Sequence, residues 1–237
     1  MRVIEAFDDD HPRRTPSDAA ARTGLTRTAA RRYLLSLVHF GYAMTDGRQF
    51  WLMPRVLRLG QSYLGAARLP RLVQPFIQRV SLACGETVNV SVLDGHEVVY
   101  VARSSSPRLV SIGFHPGARA PAHVVTPGYV ILSTFGDEAL ERWIAAHEFT
   151  AFTGDPVRDG AQFRDNVLAA RGLGYWVTDQ LLDPGLRGIA VALRDRHGEC
   201  KGAIGMTMPV QPESREAMVA RKLPLLQQAM QDLRPLL

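Results

Sequence analysis

Cysteine is nearly absent from this chain. Cys84 and Cys200 are the only two in 237 residues, far apart and outside any CxxC or Cys/His spacing, which excludes a disulfide scaffold and argues against a zinc site. Long apolar runs are missing too. Val124 to Phe135 is broken by Thr126, Pro127, Gly128, Ser133 and Thr134, short of the roughly 20 apolar residues that a membrane-spanning helix needs. Met1 to Ala6 runs straight into Asp8-Asp9-Asp10 with no apolar segment or small-residue cleavage site, so the chain reads as cytoplasmic, without a membrane partner. Catalytic signatures fail in turn. There is no GxSxG, no GxxxxGK[ST] and no GxGxxG after a strand, and Gly172-Leu173-Gly174 reads as a helix stop. The expectation is no enzyme, no cofactor and no metal. His123 reads as a hydrogen-bonded core or pocket-wall residue in preference to a general base. What remains is an ordinary globular balance, 46% apolar and 22% charged with mean hydropathy −0.06, long enough for one large domain or two small ones.

Charge is unevenly placed. Residues 1–60 hold ten arginines, no lysine and six acids, a net +4, while the rest of the chain contributes +1. Between Arg22 and Arg58 seven arginines face the single acid Asp46. A basic N-terminal module joined to a near-neutral larger one is the footprint of a polyanion reader with a second domain.

The pattern of the first sixty residues sharpens this. Met1 to Phe7 has helical apolar spacing and ends at the Pro12-containing loop. A second helix starts at Pro16-Ser17-Asp18, with Ser17 or Asp18 as its cap and Gly24 as its left-handed stop. Thr26 caps a third helix to about Phe40, predicted to bury Ala30, Tyr33, Leu34, Leu37 and Val38 and to present Arg27, Thr28, Arg31 and Arg32 outward. Arginines and threonines near the start of a second helix-turn-helix element suit the major groove, where arginine bridges guanine O6 and N7. Two short runs flank Asp46-Gly47, a strong hairpin signal. Helix, helix and hairpin make a winged helix-turn-helix, with Arg48 at the wing tip for phosphate or minor groove, and Phe50 and Leu52 turned inward. Pro54 opens a linker helix in which Arg55 and Arg58 point outward and Val56, Leu57, Leu59, Tyr63 and Leu64 are free to pack on a partner. The domains are thus expected at 1–53, 54–68 (linker) and 69–237.

The larger domain reads as α+β. An amphipathic helix spans Leu69 to Cys84; strands are predicted at Glu86–Leu93, Glu97–Arg103 and Leu109–Phe114, then near Tyr175–Thr178, Arg187–Leu193 and Lys201–Met208. Helices are predicted near Pro127–Phe135, Asp137–Ala146, Gly160–Arg171 and Ser214–Leu233. This order suggests one antiparallel sheet flanked by helices. Asp179, Asp183 and Arg187 around Pro184-Gly185 read either as a turn held by charge or as an anion-responsive lip.

At this point the chain resembles the IclR family of bacterial transcriptional regulators. AARTGLTRTAARRYLLSLVHFGYAMTDGRQFWLMPRVLRLG looks like the family's helix-turn-helix, wing and linker. GETVNVSVLDGHEVVYVAR, GARAPAH and GYWVTDQLLDPGLRGIAVALRDRHG look like its effector-domain motifs in order. AFDDDHPR, RTAARRYLLSL and PRVLRLGQSYL are most similar to the members that regulate protocatechuate and 4-hydroxybenzoate breakdown. The resemblance implies a homodimer or dimer of dimers on double-stranded operator DNA, and a GAF-like domain that takes a small carboxylate such as protocatechuate, 4-hydroxybenzoate or β-ketoadipate. It further implies effector contacts at Thr126, Pro127, Gly128, Thr178, Gly188, Gly205 and Thr207. Thr178, Gly188 and Gly205 stand where relatives often carry acidic or small polar groups. With Tyr129, Trp176 and Met206 nearby in sequence, the expectation is that the missing side chains make room for an aromatic or larger dicarboxylic acid. The rival reading is a small-molecule-binding protein or metabolic enzyme whose N-terminal module only dimerises it. Relatives usually carry further residues before the first helix, so the resemblance also implies that Met1 already lies inside it.

Overall fold

The computed structural model of the chain describes residues 1–8, 10–66, 68–104, 114–150, 157 and 159–237, without the side chains of 64–66. Its internal contacts separate two units, Met1–Ala66 and Ala67–Leu237.

The first unit runs α1 (Arg2–Glu5), β1 (Arg13–Arg14), α2 (Pro16–Thr23), α3 (Arg27–His39), β2 (Ala43–Thr45), β3 (Phe50–Leu52), a 3-10 turn at Pro54–Val56 and α4 (Leu57–Ala66). Val3, Ala19, Ala20, Ala30, Leu34 and Phe50 form its core, small enough for the helices to approach closely. The cap of α2 is Thr15, one residue before Pro16, and not Ser17 or Asp18. The Thr15 hydroxyl accepts from the Asp18 amide while the Asp18 carboxylate accepts from the Thr15 amide, a reciprocal capping box that sets proline at the first helical position. Gly24 stops α2 at φ +70°, and Thr26 caps α3 through the Ala29 amide at 3.2 Å. Tyr33 departs from expectation, remaining 51% exposed. At roughly 100° per residue it falls at the edge of the Ala30–Leu34–Leu37 stripe.

The wing turns at Gly47 (φ +94°), where Asp46 Oδ1 accepts from the amides of Arg48 and Gln49 at 2.9 and 2.7 Å. Phe50 is buried and Leu52 partly so. β1 joins this hairpin in the order β1-β3-β2, all antiparallel. Two residues carry no readable alternation, so the sequence showed only a loop there. Arg13 also lies over the Trp51 ring at 4.4 Å. Arg55 does not simply point outward. It donates to the Phe40 carbonyl at 2.7 Å and ties the 3-10 turn to the end of α3.

The second unit follows as α5 (Arg68–Cys84), β4 (Thr87–Asp94), β5 (Glu97–Ser104), β6 (Arg119–Pro121), a 3-10 turn at Ala122–Val124, α6 (Thr126–Leu132), α7 (Asp137–Ala145), α8 (Gly160–Leu173), β7 (Trp176–Asp179), β8 (Leu186–Arg194), β9 (Cys200–Pro209) and α9 (Arg215–Leu233). The strands form one antiparallel sheet, β6-β5-β4-β9-β8-β7. The strand predicted over 109–114 lies, but for Phe114, outside the described residues. Pro121 closes β6 opposite Glu97.

α5 and α9 cover one face, where Val73, Ile77, Leu226 and Leu233 meet Val88, Val90, Val191 and Ile204. On the other face Val130 and Ile131 of α6 pack on Ala190 and Ala203, and Tyr129, Leu132, Trp143, Phe163 and Val167 gather with Val98 and Tyr100.

One ion pair lies inside the α5–α9 side. Lys222 of α9 is buried, its ammonium 3.2 Å from Glu86 Oε1 and 2.9 Å from the Cys84 carbonyl that ends α5. Removing one member of such a buried pair strands the other charge. Glu86→Leu is therefore expected to destabilise the second unit by about 3–5 kcal/mol, and Glu86→Leu with Lys222→Met to recover most of that loss; urea unfolding followed by tryptophan fluorescence checks both.

Candidate functional site

On α3, Arg27, Thr28, Arg31 and Arg32 are all exposed. The i,i+4 pairs Arg27/Arg31 and Thr28/Arg32 stack along the first turns of one helix face. Among the described residues none of these arginines has an ion-pair partner, whereas Arg14 and Arg22 both meet Asp8 at 3.2 Å. Arg48 projects, exposed, from the wing turn. Guanidinium groups left free on a short helix and a hairpin tip suit base edges and phosphates.

In the second unit, the start of α6, the strands β7, β8 and β9 and the loop between β7 and β8 line a partly open pocket. Six of the seven effector positions inferred from sequence line it: Thr126, Pro127, Thr178, Gly188, Gly205 and Thr207. Gly128 does not. A Cβ there would sit 2.0 Å from the Ala122 carbonyl oxygen, so this glycine lets α6 close on the preceding 3-10 turn.

The other two glycines make no room either. A Cβ at Gly188 would meet Thr126 Oγ1 at 2.2 Å, and one at Gly205 would meet Ala190 Cβ and the Ile189 carbonyl at 2.9 Å. The space at Gly188 already holds the Thr126–Thr178 hydroxyl pair, 2.5 Å apart; that at Gly205 is taken up by the close approach of β8. Nor do Tyr129 and Trp176 line the pocket. They stack on each other at 5.6 Å in the neighbouring core, and the Tyr129 hydroxyl donates to the His123 carbonyl at 2.8 Å. Met206 both lines the pocket and packs in the α5–α9 core.

The aromatic wall is Tyr100 with Phe114, stacked at 4.6 Å, and Leu181, Leu182 and Leu186 complete the apolar lining. Burial holds the Tyr100 phenol well above its ordinary pKa, so it stays a neutral O–H group. Arg187 also lines the pocket, with its Nε 2.5 Å from Asp179 Oδ1. That pair, rather than Asp183, holds the β7–β8 turn by charge. Gln180, at φ +55°, bends the chain there while its side chain accepts from the Gly185 amide at 3.0 Å. Sequence reasoning missed Tyr100, Phe114, Asn89 and the leucine loop, because single side chains on separate strands carry no spacing signal.

His123 is not a lone histidine. Its Nε2 faces the Thr150 carbonyl at 3.1 Å, its Nδ1 lies 2.8 Å from His147 Nε2, and His147 Nδ1 lies 3.2 Å from His96 Nδ1. A carbonyl only accepts, so His123 donates through Nε2; His147 must then donate to His123 and accept from His96. The chain of three rings anchors the turn that leads into Val124, Val125 and Thr126 of the pocket wall. Burial and the two flanking histidines push His147 down to about 4.

Residues 1–47 match the family described as the IclR helix-turn-helix domain, and residues 61–234 match the bacterial transcriptional regulator IclR C-terminal family. The Pca regulon regulatory protein of Pseudomonas putida is 33% identical, over 98% of this chain and 80% of its own length. The p-hydroxybenzoate hydroxylase transcriptional activator of Acinetobacter baylyi is 35% identical, over 100% and 89%. Among solved structures, a double mutant of the PobR inducer-binding domain from Acinetobacter, in complex with 3-hydroxybenzoic acid, superposes with a TM-score of 0.67 at 30% identity, covering 72% of this chain and 100% of that one.

Two outcomes test the pocket and its anchor. Gly188→Ala drives the Thr126 hydroxyl off Thr178 and is expected to cost about 1–3 kcal/mol, with Thr126→Ala in the same chain restoring most of it, as read by urea unfolding. Because the unfolded histidine binds its proton near 6.5 and folded His147 near 4, the unfolded state holds more protons between those values. The second unit is expected to lose stability as pH falls through that window, and His147→Phe to flatten the loss; thermal melts at pH 7 and pH 5 measure it.

Proposed function

The chain belongs to the IclR family of bacterial transcriptional regulators, and from that premise we propose how its two units divide the work. It is a DNA-binding regulator, not an enzyme. α3 enters the major groove of operator DNA, where Arg27, Thr28, Arg31 and Arg32 meet base edges, and Arg48 of the wing contacts phosphate or the minor groove. Two such units act together in a homodimer, alone or paired into a dimer of dimers; the exposed Leu57 and Tyr63 of α4 favour a partner on that linker helix. The second unit binds a small aromatic acid of the hydroxybenzoate class, and the acid shifts the population of DNA-competent spacings.

The observation that carries the effector reading is the pocket. A stacked Tyr100–Phe114 wall and three leucines give a ring a flat apolar seat, and the Thr126, Thr178 and Thr207 hydroxyls with Arg187 offer donors for a carboxylate. The relatives named for p-hydroxybenzoate hydroxylase and the Pca regulon, and the 3-hydroxybenzoic acid bound by the related PobR domain, support the same class.

Fluorescence anisotropy on the chain's own promoter fragment and on scrambled DNA, across salt and with added protocatechuate or 4-hydroxybenzoate, tests the whole reading. Promoter preference that changes with an aromatic acid is expected; glyoxylate as the sole active ligand refutes the effector class. Arg31→Ala or Arg32→Ala is expected to lose about 1–3 kcal/mol of discrimination at one base position, whereas Arg48→Ala weakens all sequences alike and flattens the salt slope. Equal losses on operator and random DNA for all three overturn that assignment.

A further inference from the structure

β4 alternates Thr87, Asn89 and Ser91 with Val88, Val90 and Val92. In a half-buried strand the polar set faces water, yet here Thr87, Asn89 and Ser91 are only 3%, 3% and 1% exposed. Asn89 is the one of the three that lines the pocket. Its register partner on β9 is Gly205, whose partner on β8 is Ala190, so on the β9 side nothing larger than a methyl group stands next to the amide, and on the β5 side its register partner is Arg103. Asn89 Oδ1 is buried without a hydrogen-bond partner, and among the described residues the side chain makes no hydrogen bond at either end. Buried acceptors are almost always satisfied in folded proteins, and one left open on a pocket wall awaits a donor from the occupant.

Resting on the reading that the pocket takes an aromatic acid, we propose that Asn89 is the specificity-determining residue that reads the effector's hydroxyl group. An ionised carboxylate only accepts, so it cannot satisfy the amide oxygen. A phenolic hydroxyl donates to Oδ1 and can accept from the amide N–H. The carboxylate therefore takes the other end, at the next row of the sheet, where Thr207, Gly188 and Thr178 stand in register and Thr126 reaches in. The two rows are two residues apart along the strand, roughly 7 Å, the scale of a benzene ring bearing both groups. Tyr100 and Phe114 supply the aromatic wall.

Calorimetric titration of the full chain with 4-hydroxybenzoate, 3-hydroxybenzoate, benzoate and 4-fluorobenzoate tests the assignment. Fluorine matches the hydroxyl in size but carries no proton. The wild-type chain is expected to bind the better hydroxybenzoate about 10–100-fold more tightly than benzoate or 4-fluorobenzoate. Asn89→Leu is expected to bring that ratio to about one while benzoate still binds, which also reports an intact pocket. A ratio unchanged in Asn89→Leu overturns the assignment. So does a wild-type chain that binds 4-fluorobenzoate as tightly as 4-hydroxybenzoate, an outcome that needs no variant to fold and leaves the aromatic-acid reading standing. Wild-type protein that binds none of the four acids overturns that reading and this inference together.

Discussion

Alternate side chains of a strand go to opposite faces of its sheet, and the second unit is organised by that constraint. Its central strands send Val88, Val90, Val191 and Ile204 to α5 and α9, where a continuous apolar core forms. The same geometry sends Thr87, Asn89, Gly205, Thr207, Gly188 and Thr178 the other way. Because α6 and the β7–β8 loop cover part of that second face, its polar groups leave bulk water and must find partners. Thr126 and Thr178 satisfy each other; Asn89 is left for an occupant. A tight core on one side allows the other to stay incompletely filled, and this is what makes a pocket compatible with a stable sheet.

The sequence revealed the elements more readily than the contacts. The Asp46-Gly47 turn, the Thr26 cap, the Gly24 stop and five of the six strands of the large sheet announce themselves through short-range chemistry and periodicity, and family resemblance brought six of the pocket positions together. What stayed hidden depends on partners distant in the chain. β1 is two residues long and exists only because β3 lies beside it. The histidine chain joins His96, His123 and His147 from separate segments with no common spacing. The polar stripe of β4 has the alternation of a solvent-facing strand, and only the covering helix shows that it is buried. The glycines are the sharpest lesson: Gly188 and Gly205 lack side chains because neighbours already occupy that space, whereas sequence alone suggested vacant room.

The two units rest on different balances. The first has a small alanine-rich core and relies on local devices such as the Thr15–Asp18 capping box and the Arg55 tie. The second buries an extensive core and an internal Lys222–Glu86 pair. A regulator needs only a modest coupling between ligand and DNA, since each tenfold change in affinity corresponds to about 1.4 kcal/mol. A pocket wall anchored by hydrogen-bonded histidines and a β7–β8 turn held by one ion pair are features of that energetic scale.

The side-chain cations of the first unit are all guanidinium groups. The chain's only two lysines, Lys201 and Lys222, lie in the second unit, one paired with Asp195 and Glu199 and the other buried against Glu86. Lysine acetylation, a common means of erasing positive charge from a nucleic-acid-binding surface, therefore finds no side chain to modify on α3 or the wing. The positive charge of that unit's side chains lies beyond the reach of such enzymes.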